Sequence, residues 1–198
     1  MDEKGCRLTI HHQQRIISEK GIKRVHMVAP EHAENVTVVA CCNAMGNSIP
    51  PMILFKGKRL KPEFSDNLPY GSIVKMAPKG SMTTEIFVEF LKYFAKYKSN
   101  EPSELLIFDG ASSHLDLTIA ETADSLGITL FCLPSNTTHE LQPLDRAVFR
   151  SFEANWDQEL LRYLDTYPQR TLNKARFNII FFPCLAKTYD AGKHHKWI

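Results

Sequence analysis

Two aspartates stand where apolar runs end. "LLIFDG" puts Asp109 directly after Leu105–Phe108, and "LQPLD" puts Asp145 beyond the next apolar run, "ITLFCL". Carboxylates at neighbouring strand ends repel one another unless a cation lies between them. Hard oxygen donors suit Mg²⁺ or Mn²⁺ rather than zinc, and Gly110 leaves room for a close approach to Asp109. Each acid also has a plain structural reading. Asp109-Gly110 makes a turn after a strand, and Asp145 at the third position of a helix offsets the helix dipole by about 0.3–1 kcal/mol. Both readings stand at this point.

Other chemistries find little support. The five cysteines form no CxxC pair, and Cys41 and Cys42 sit side by side in an apolar run. They read as reduced, buried thiols of an intracellular chain rather than as disulfides or a zinc site. The doublets His11-His12 and His194-His195 lie in polar surroundings and read as surface residues. No Ser-His-Asp or Cys-His arrangement stands out.

The acids need elements to hold them. "VTVVACCNAMGNSIPPMILFKGK" predicts two strands, Val36 to Cys42 and Ile49 to Phe55, joined through turn residues. Pro50 and Pro51 lack ladder donors, which puts the second strand at an edge or starts it after them. A short strand follows at Ser72–Met76. "MTTEIFVEFLKYFAKYK" changes period: Ile86, Phe87, Phe90, Leu91, Phe94 and Tyr97 form a core-facing stripe, with Thr83 as N-cap. Strand Glu104–Asp109, a helix from Asp116 to Leu126 stopped by Gly127, and strand Ile128–Leu133 make a βαβ unit with parallel strands. A last long helix opens at Pro143 and carries Leu144 to Leu164 on one face. "RFNIIFFPCLAKTY" reads as helical, with Pro183 breaking its middle. The fold class is α/β with a mixed sheet, dividing into a main domain, 1–165, and a C-terminal helical extension, 166–198.

At 198 residues, 43% apolar and 23% charged, the chain is the size of one globular domain. No apolar stretch approaches the ~20 residues of a membrane span. A net charge of +2 is too small to argue for nucleic acid by itself. Local clustering is more suggestive: "KGKRLK" gathers Lys56, Lys58, Arg59 and Lys61, as a solvated turn or as a loop that tracks phosphates.

"LLIFDGASSH" and "GITLFCLPSNTTHELQPLDRAVF" together resemble the DDE-type endonuclease domain of pogo/Tigger-like transposases. That group belongs to the mariner superfamily and includes the jerky and centromere protein B relatives. The hairpin segment and "GSMTTEIFVEFL" resemble the same domain, and "MDEKG" resembles its first catalytic block. The resemblance implies a ribonuclease H-like fold and a metal-binding, catalytic triad of Asp2, Asp109 and Asp145. It implies two Mg²⁺ (or Mn²⁺) ions, with DNA cleavage and strand transfer by two-metal phosphoryl transfer. His114 and His139 match histidines that accompany the motifs and are assigned, with the basic loop, to nucleic acid. DNA is the implied partner, the nucleus the implied location, and a homo-oligomer is compatible with the family.

The resemblance also implies a first strand upstream of Asp2 and a helix-turn-helix DNA-binding region, neither contained in this sequence. On that basis Asp2 is expected at a mobile terminus, the Val36 strand without a partner, and the isolated chain without catalysis. Lys4 stands where the family often has Thr or Ser. Beside the nuclease reading stand two others: a domesticated, non-catalytic DNA-binding or interaction protein, and a decayed remnant.

Overall fold

The antiparallel hairpin forms where the two apolar runs and the turn residues between them predict it. In the computed structural model, which describes residues 1–9, 20–21, 34–99, 103–110, 115–134, 137–167 and 172–192, strand β2 spans Asn35–Ala40 and β3 spans Met52–Lys56. They pair antiparallel with Val36 opposite Phe55 and Val39 opposite Met52. The strand β3 starts after Pro50 and Pro51, because neither proline can donate to a ladder. Strand β4, Ile73–Ala77, then adds parallel to β3.

The strand expected upstream of Asp2 lies downstream of it. Strand β1 runs Asp2–Arg7 and pairs antiparallel with β2 along its whole length, Asp2 opposite Ala40 and Cys6 opposite Val36. The Val36 strand therefore has a partner on each side. Asp2 is only 6% exposed, which replaces the expected mobile terminus with a buried one. "DEKGCR" has a weak intrinsic strand pattern; pairing with the β-branched "NVTVVA" supplies what propensity does not.

The βαβ unit forms as read. Strands β5, Glu104–Phe108, and β6, Ile128–Cys132, are parallel, with Leu106 opposite Leu130. Between them the helix α2, Leu117–Ser125, is capped by the Asp116 carboxylate, which accepts from the Thr118 N–H at 2.9 Å. Gly127, at φ +65, ends it in the conformation glycine adopts most readily. Four strands form one sheet in the order β1-β2-β3-β4, and β5-β6 form a second. The Met1 nitrogen bridges the two, donating to the Ile107 carbonyl at 2.6 Å.

Side chains alternate across β3 and feed two cores. Met52 and Leu54 face α1, Thr84–Phe94, together with Phe87, Phe90, Leu91 and Phe108. Thr83 caps α1, accepting from the Ile86 N–H. Tyr93, not Tyr97, is the buried tyrosine of this helix. Its hydroxyl lies 2.8 and 2.9 Å from the carbonyls of Pro50 and Gly71, while Tyr97 falls beyond the helix end and is 43% exposed.

Ile53 and Phe55 face the other way, onto α4, Arg150–Thr166, and α5, Phe177–Gly192. Trp156, Phe177 and Phe181 are wholly buried there. Pro183 lies inside α5 without ending it. A helical proline leaves the carbonyl four residues earlier without its usual donor; here that residue is Ile179, on the exposed side of the helix, where the loss costs least.

Candidate active site

The three candidate acids come from three elements that converge at one end of the sheets. Asp2 opens β1, Asp109 follows the last residue of β5, and Asp145 lies in a π-helical turn, Leu144–Phe149, that leads into α4. The ladder between β5 and β6 continues to the Leu133 N–H, which donates to the Phe108 carbonyl at 2.9 Å. Asp109 is thereby delivered at the tip of a strand paired along its whole length with β6.

The route into Asp145 differs from the simple helix start that Pro143 predicts. A short helix α3, Thr138–Leu141, precedes it, and the chain then takes the wide π turn before settling into α4. Single π turns inside helices recur at functional sites because they re-aim side chains that a regular helix would point elsewhere. Leu144 and Phe149 anchor the turn against Ala40 of β2, leaving Asp145 half-buried toward Asp2.

Gln142 is a site residue that the motif contains but that the reading of the sequence passes over. It is 1% exposed, and its Nε2 donates to the Met1 carbonyl at 3.2 Å. The same amide acts on the Asp2 carboxylate and holds its pKa down. Gln142 therefore fastens the segment carrying Asp145 to the strand carrying Asp2. The signal was present in "LQPLD": a polar residue between Leu141 and the proline that opens a helix is poorly explained by solvation alone.

The electrostatics show that the acids share one environment. Burial, then the Asp145 and Asp109 charges, push the Asp2 carboxyl up to about 7, against opposing bonds from the Glu3 N–H and Gln142. Its Oδ1 accepts from the Glu3 N–H at 2.7 Å, and its buried Oδ2 has no hydrogen-bond partner. Burial raises Asp145 as well; the Lys4 ammonium opposes that shift, and the Asp109 and Glu153 charges reinforce it.

Lys4 follows Asp2 by two residues on the same face of β1. It forms an ion pair with Glu153 in the first turn of α4 and lies 5.8 Å from the centre of the Phe149 ring. The departure from Thr or Ser at this position thus ties β1 to α4 immediately behind Asp145.

These donors suit a hard divalent cation: three carboxylates, one with an orphaned buried oxygen. As they stand, no three Asp, Glu, His or Cys side chains among the described residues lie within common reach of one ion.

The other candidates fall elsewhere. His114 lies outside the described residues, and His139 is on α3. Lys56, Lys58, Arg59 and Lys61 are at the opposite end of the sheet: Lys56 lies five residues along the strand direction from the level of Asp2, roughly 16 Å.

Comparison with known proteins adds three findings. The family model described as DDE superfamily endonuclease matches residues 33–193. A Cochliobolus lunatus protein named MFS-type transporter clz9 is 32% identical over 141 residues, covering 69% of this chain and 15% of that protein. No described helix here is long and apolar enough to cross a membrane. Among solved structures, the Mos1 transposase paired-end complex with left transposon end matches with a TM-score of 0.55 at 11% identity, covering 94% of this chain and 53% of that one. That likeness makes the fold ribonuclease H-like, with a mixed sheet and flanking helices.

Proposed function

The chain belongs to the DDE superfamily of endonucleases, and from that premise we propose that it is a transposon-derived nuclease domain acting on DNA through Asp2, Asp109 and Asp145. The observation that carries this reading is the state of Asp2: a buried carboxylate with an orphaned oxygen, raised to about 7 by burial and by the two other acids. A fold does not retain three mutually repelling carboxylates for stability, because their repulsion opposes folding unless a cation joins them.

The superfamily uses divalent metal, and we take the ions to be two Mg²⁺ or Mn²⁺. When bound, they would activate a water or a DNA 3′-hydroxyl and stabilise the leaving oxygen. The chain's own residues supply the rest. Gln142 fastens the backbone beside Asp2, the Glu3 N–H holds one oxygen of its carboxylate, and the β5–β6 ladder fixes the strand that ends at Asp109. Lys4 favours the ionised form of Asp145. Phosphodiester hydrolysis then forms one P–O bond to water and breaks one to the DNA sugar oxygen, which leaves with a proton. No protein nucleophile is required.

"LLIFDGASSH" and "LQPLD" support placement in the pogo/Tigger-like group, and a DNA substrate agrees with location in the nucleus. A second reading, DNA binding without cleavage, draws on one observation: the acids, as they stand, do not close on a single ion.

The test is nicking of supercoiled plasmid with Mn²⁺ or Mg²⁺, by this chain and by a form extended upstream of Met1. Asp109→Ala is expected to abolish it. Nicking undiminished in that variant sinks the assignment, and binding without nicking in both forms selects the second reading.

A further inference from the structure

A groove of about 460 Å³ opens at the end of the sheet remote from the acids. Its walls are the end of β3 and the loop after it, with Lys56, Lys58, Arg59 and Lys61, and the segment Asn173–Ala175 that precedes α5. These segments are more than a hundred residues apart in sequence, yet the groove between them is braced. Phe64, at the far end of the loop, stacks on Phe55 with ring centres 4.4 Å apart. The Asn173 side chain accepts from the Arg176 N–H at 3.1 Å, and Lys174 Nζ reaches across to donate to the Lys56 carbonyl at 3.3 Å. Gly57, at φ +141, makes the turn that a side chain would strain.

Its charge is lopsided. Five cations line it against two carboxylates, Glu34 and Glu63. That local excess of positive charge is larger than the net +2 of the whole chain. Both carboxylates are engaged: Glu34 with Lys174 at 2.8 Å and Glu63 with Lys61 at 3.5 Å. Lys56, Lys58 and Arg59 have no acidic partner among the described residues. The cations line an open, solvated cleft rather than an enclosed cavity. That openness, with several cations drawn from two segments, suits a polyanion that releases counterions on binding better than a single small anion.

We infer that this groove binds the sugar–phosphate backbone of a DNA segment other than the one presented to the carboxylates. The inference rests on the nuclease reading for its choice of DNA. The roughly 16 Å separating the two ends of the sheet corresponds to about five steps of 3.4 Å along a strand. One duplex can therefore touch both ends, held at the basic end and cut at the acidic end. Lys174 has a place in this that the basic loop alone did not reveal. Its bond to Glu34 occupies a cation until a phosphate competes for it.

The experiment measures binding of the full chain to a duplex of about 24 base pairs in EDTA, by fluorescence anisotropy from 50 to 200 mM KCl. Lys58→Ala/Arg59→Ala is expected to weaken binding by about tenfold or more and to make the log–log salt slope shallower by about 2. Lys92→Ala/Lys96→Ala removes the same charge from the α1 region and is expected to change affinity less than about twofold. Glu34→Gln, which frees Lys174, is expected to tighten binding, whereas Glu89→Gln, on α1, is not. Equal losses from the two basic pairs, or equal gains from the two acid variants, overturn the groove. Thermal melts confirm folding, since all these side chains are on the surface. Because EDTA removes metal chemistry, the outcomes separate cleanly. Absent nicking with the groove effect intact defeats the nuclease reading alone. Nicking with wild-type binding by Lys58→Ala/Arg59→Ala defeats the groove alone.

Discussion

The two ends of the sheet carry charge in opposite ways. At the acidic end, Asp2 is buried at the start of a paired strand, its Oδ2 lacks a hydrogen-bond partner, and its neighbours repel it. At the basic end, lysines and an arginine extend from a loop into water, and the two nearby carboxylates are paired. One end sacrifices stability to hold charges in place. The other places its charges at almost no cost, because solvent screens them. Residues that must meet reacting atoms are positioned by buried backbone, two by strand ladders and Asp145 by a turn anchored through Leu144 and Phe149, and residues that need only track a backbone are left to the surface.

That contrast can be broken most directly at Asp109 and Asp145. Replacing either with Asn should lower metal-dependent nicking by about a thousandfold or more, equivalent to about 4 kcal/mol of barrier. A loss under about tenfold would mean that the acidic end is not the reactive one.

The next effect concerns stability and reverses the usual sign for a carboxylate. In the unfolded chain Asp2 loses its proton near 3.8, but in the fold it holds the proton to about 7. The folded state therefore binds more protons between those values. Asp2's contribution is most favourable below about pH 4, declines as pH rises to about 7, and stays at its full penalty above. An ionised Asp2 costs up to about 4 kcal/mol. Asp2→Asn should raise the metal-free melting temperature at about pH 8 while eliminating nicking, and Mn²⁺ should stabilise the wild type more at pH 8 than at pH 5. Thermal melts with and without Mn²⁺ at both pH values check this; a melting temperature lowered by Asp2→Asn at pH 8 would refute it.

A smaller effect belongs to Lys4 and Glu153, each about a quarter exposed. Glu153→Gln leaves the Lys4 ammonium beside Phe149 without its partner and should cost roughly 1–2 kcal/mol. Lys4→Met with Glu153→Gln should recover most of that loss. A double variant as unstable as the sum of its singles would show that the two do not act as a pair. Smallest of all, Lys58→Ala/Arg59→Ala should leave stability within about 0.5 kcal/mol; a larger drop would show that the basic loop supports the fold.

Legibility followed the locality of the forces. The βαβ unit, the Thr83 and Asp116 caps and the Gly127 stop are set by residues a few positions apart, and all were readable. So was the placement of Asp109 and Asp145 near strand and helix ends. Strand β1 was not, because "DEKGCR" becomes a strand only through pairing with β2. Tyr93 was mistaken for Tyr97 as the inward tyrosine because helical spacing fits both, and only the carbonyls of Pro50 and Gly71 choose between them. Pro183 looked like a break because its effect depends on which side of α5 faces solvent. The π turn and Gln142 depend on contacts with the Met1 strand, more than a hundred residues away.

The junction between the two sheets gives the site a mechanical character. Asp2 belongs to the four-stranded sheet and Asp109 follows a strand of the two-stranded one, so the acids straddle a seam. Among the described residues no strand ladder crosses it, and the Met1–Ile107 bond does. The buried side chains beneath α1 span that seam, Met52 and Leu54 on one side and Leu106 and Phe108 on the other. The acids therefore meet across two sheets that share one core, and a cation drawn between Asp2 and Asp109 would clamp the two together at their rim.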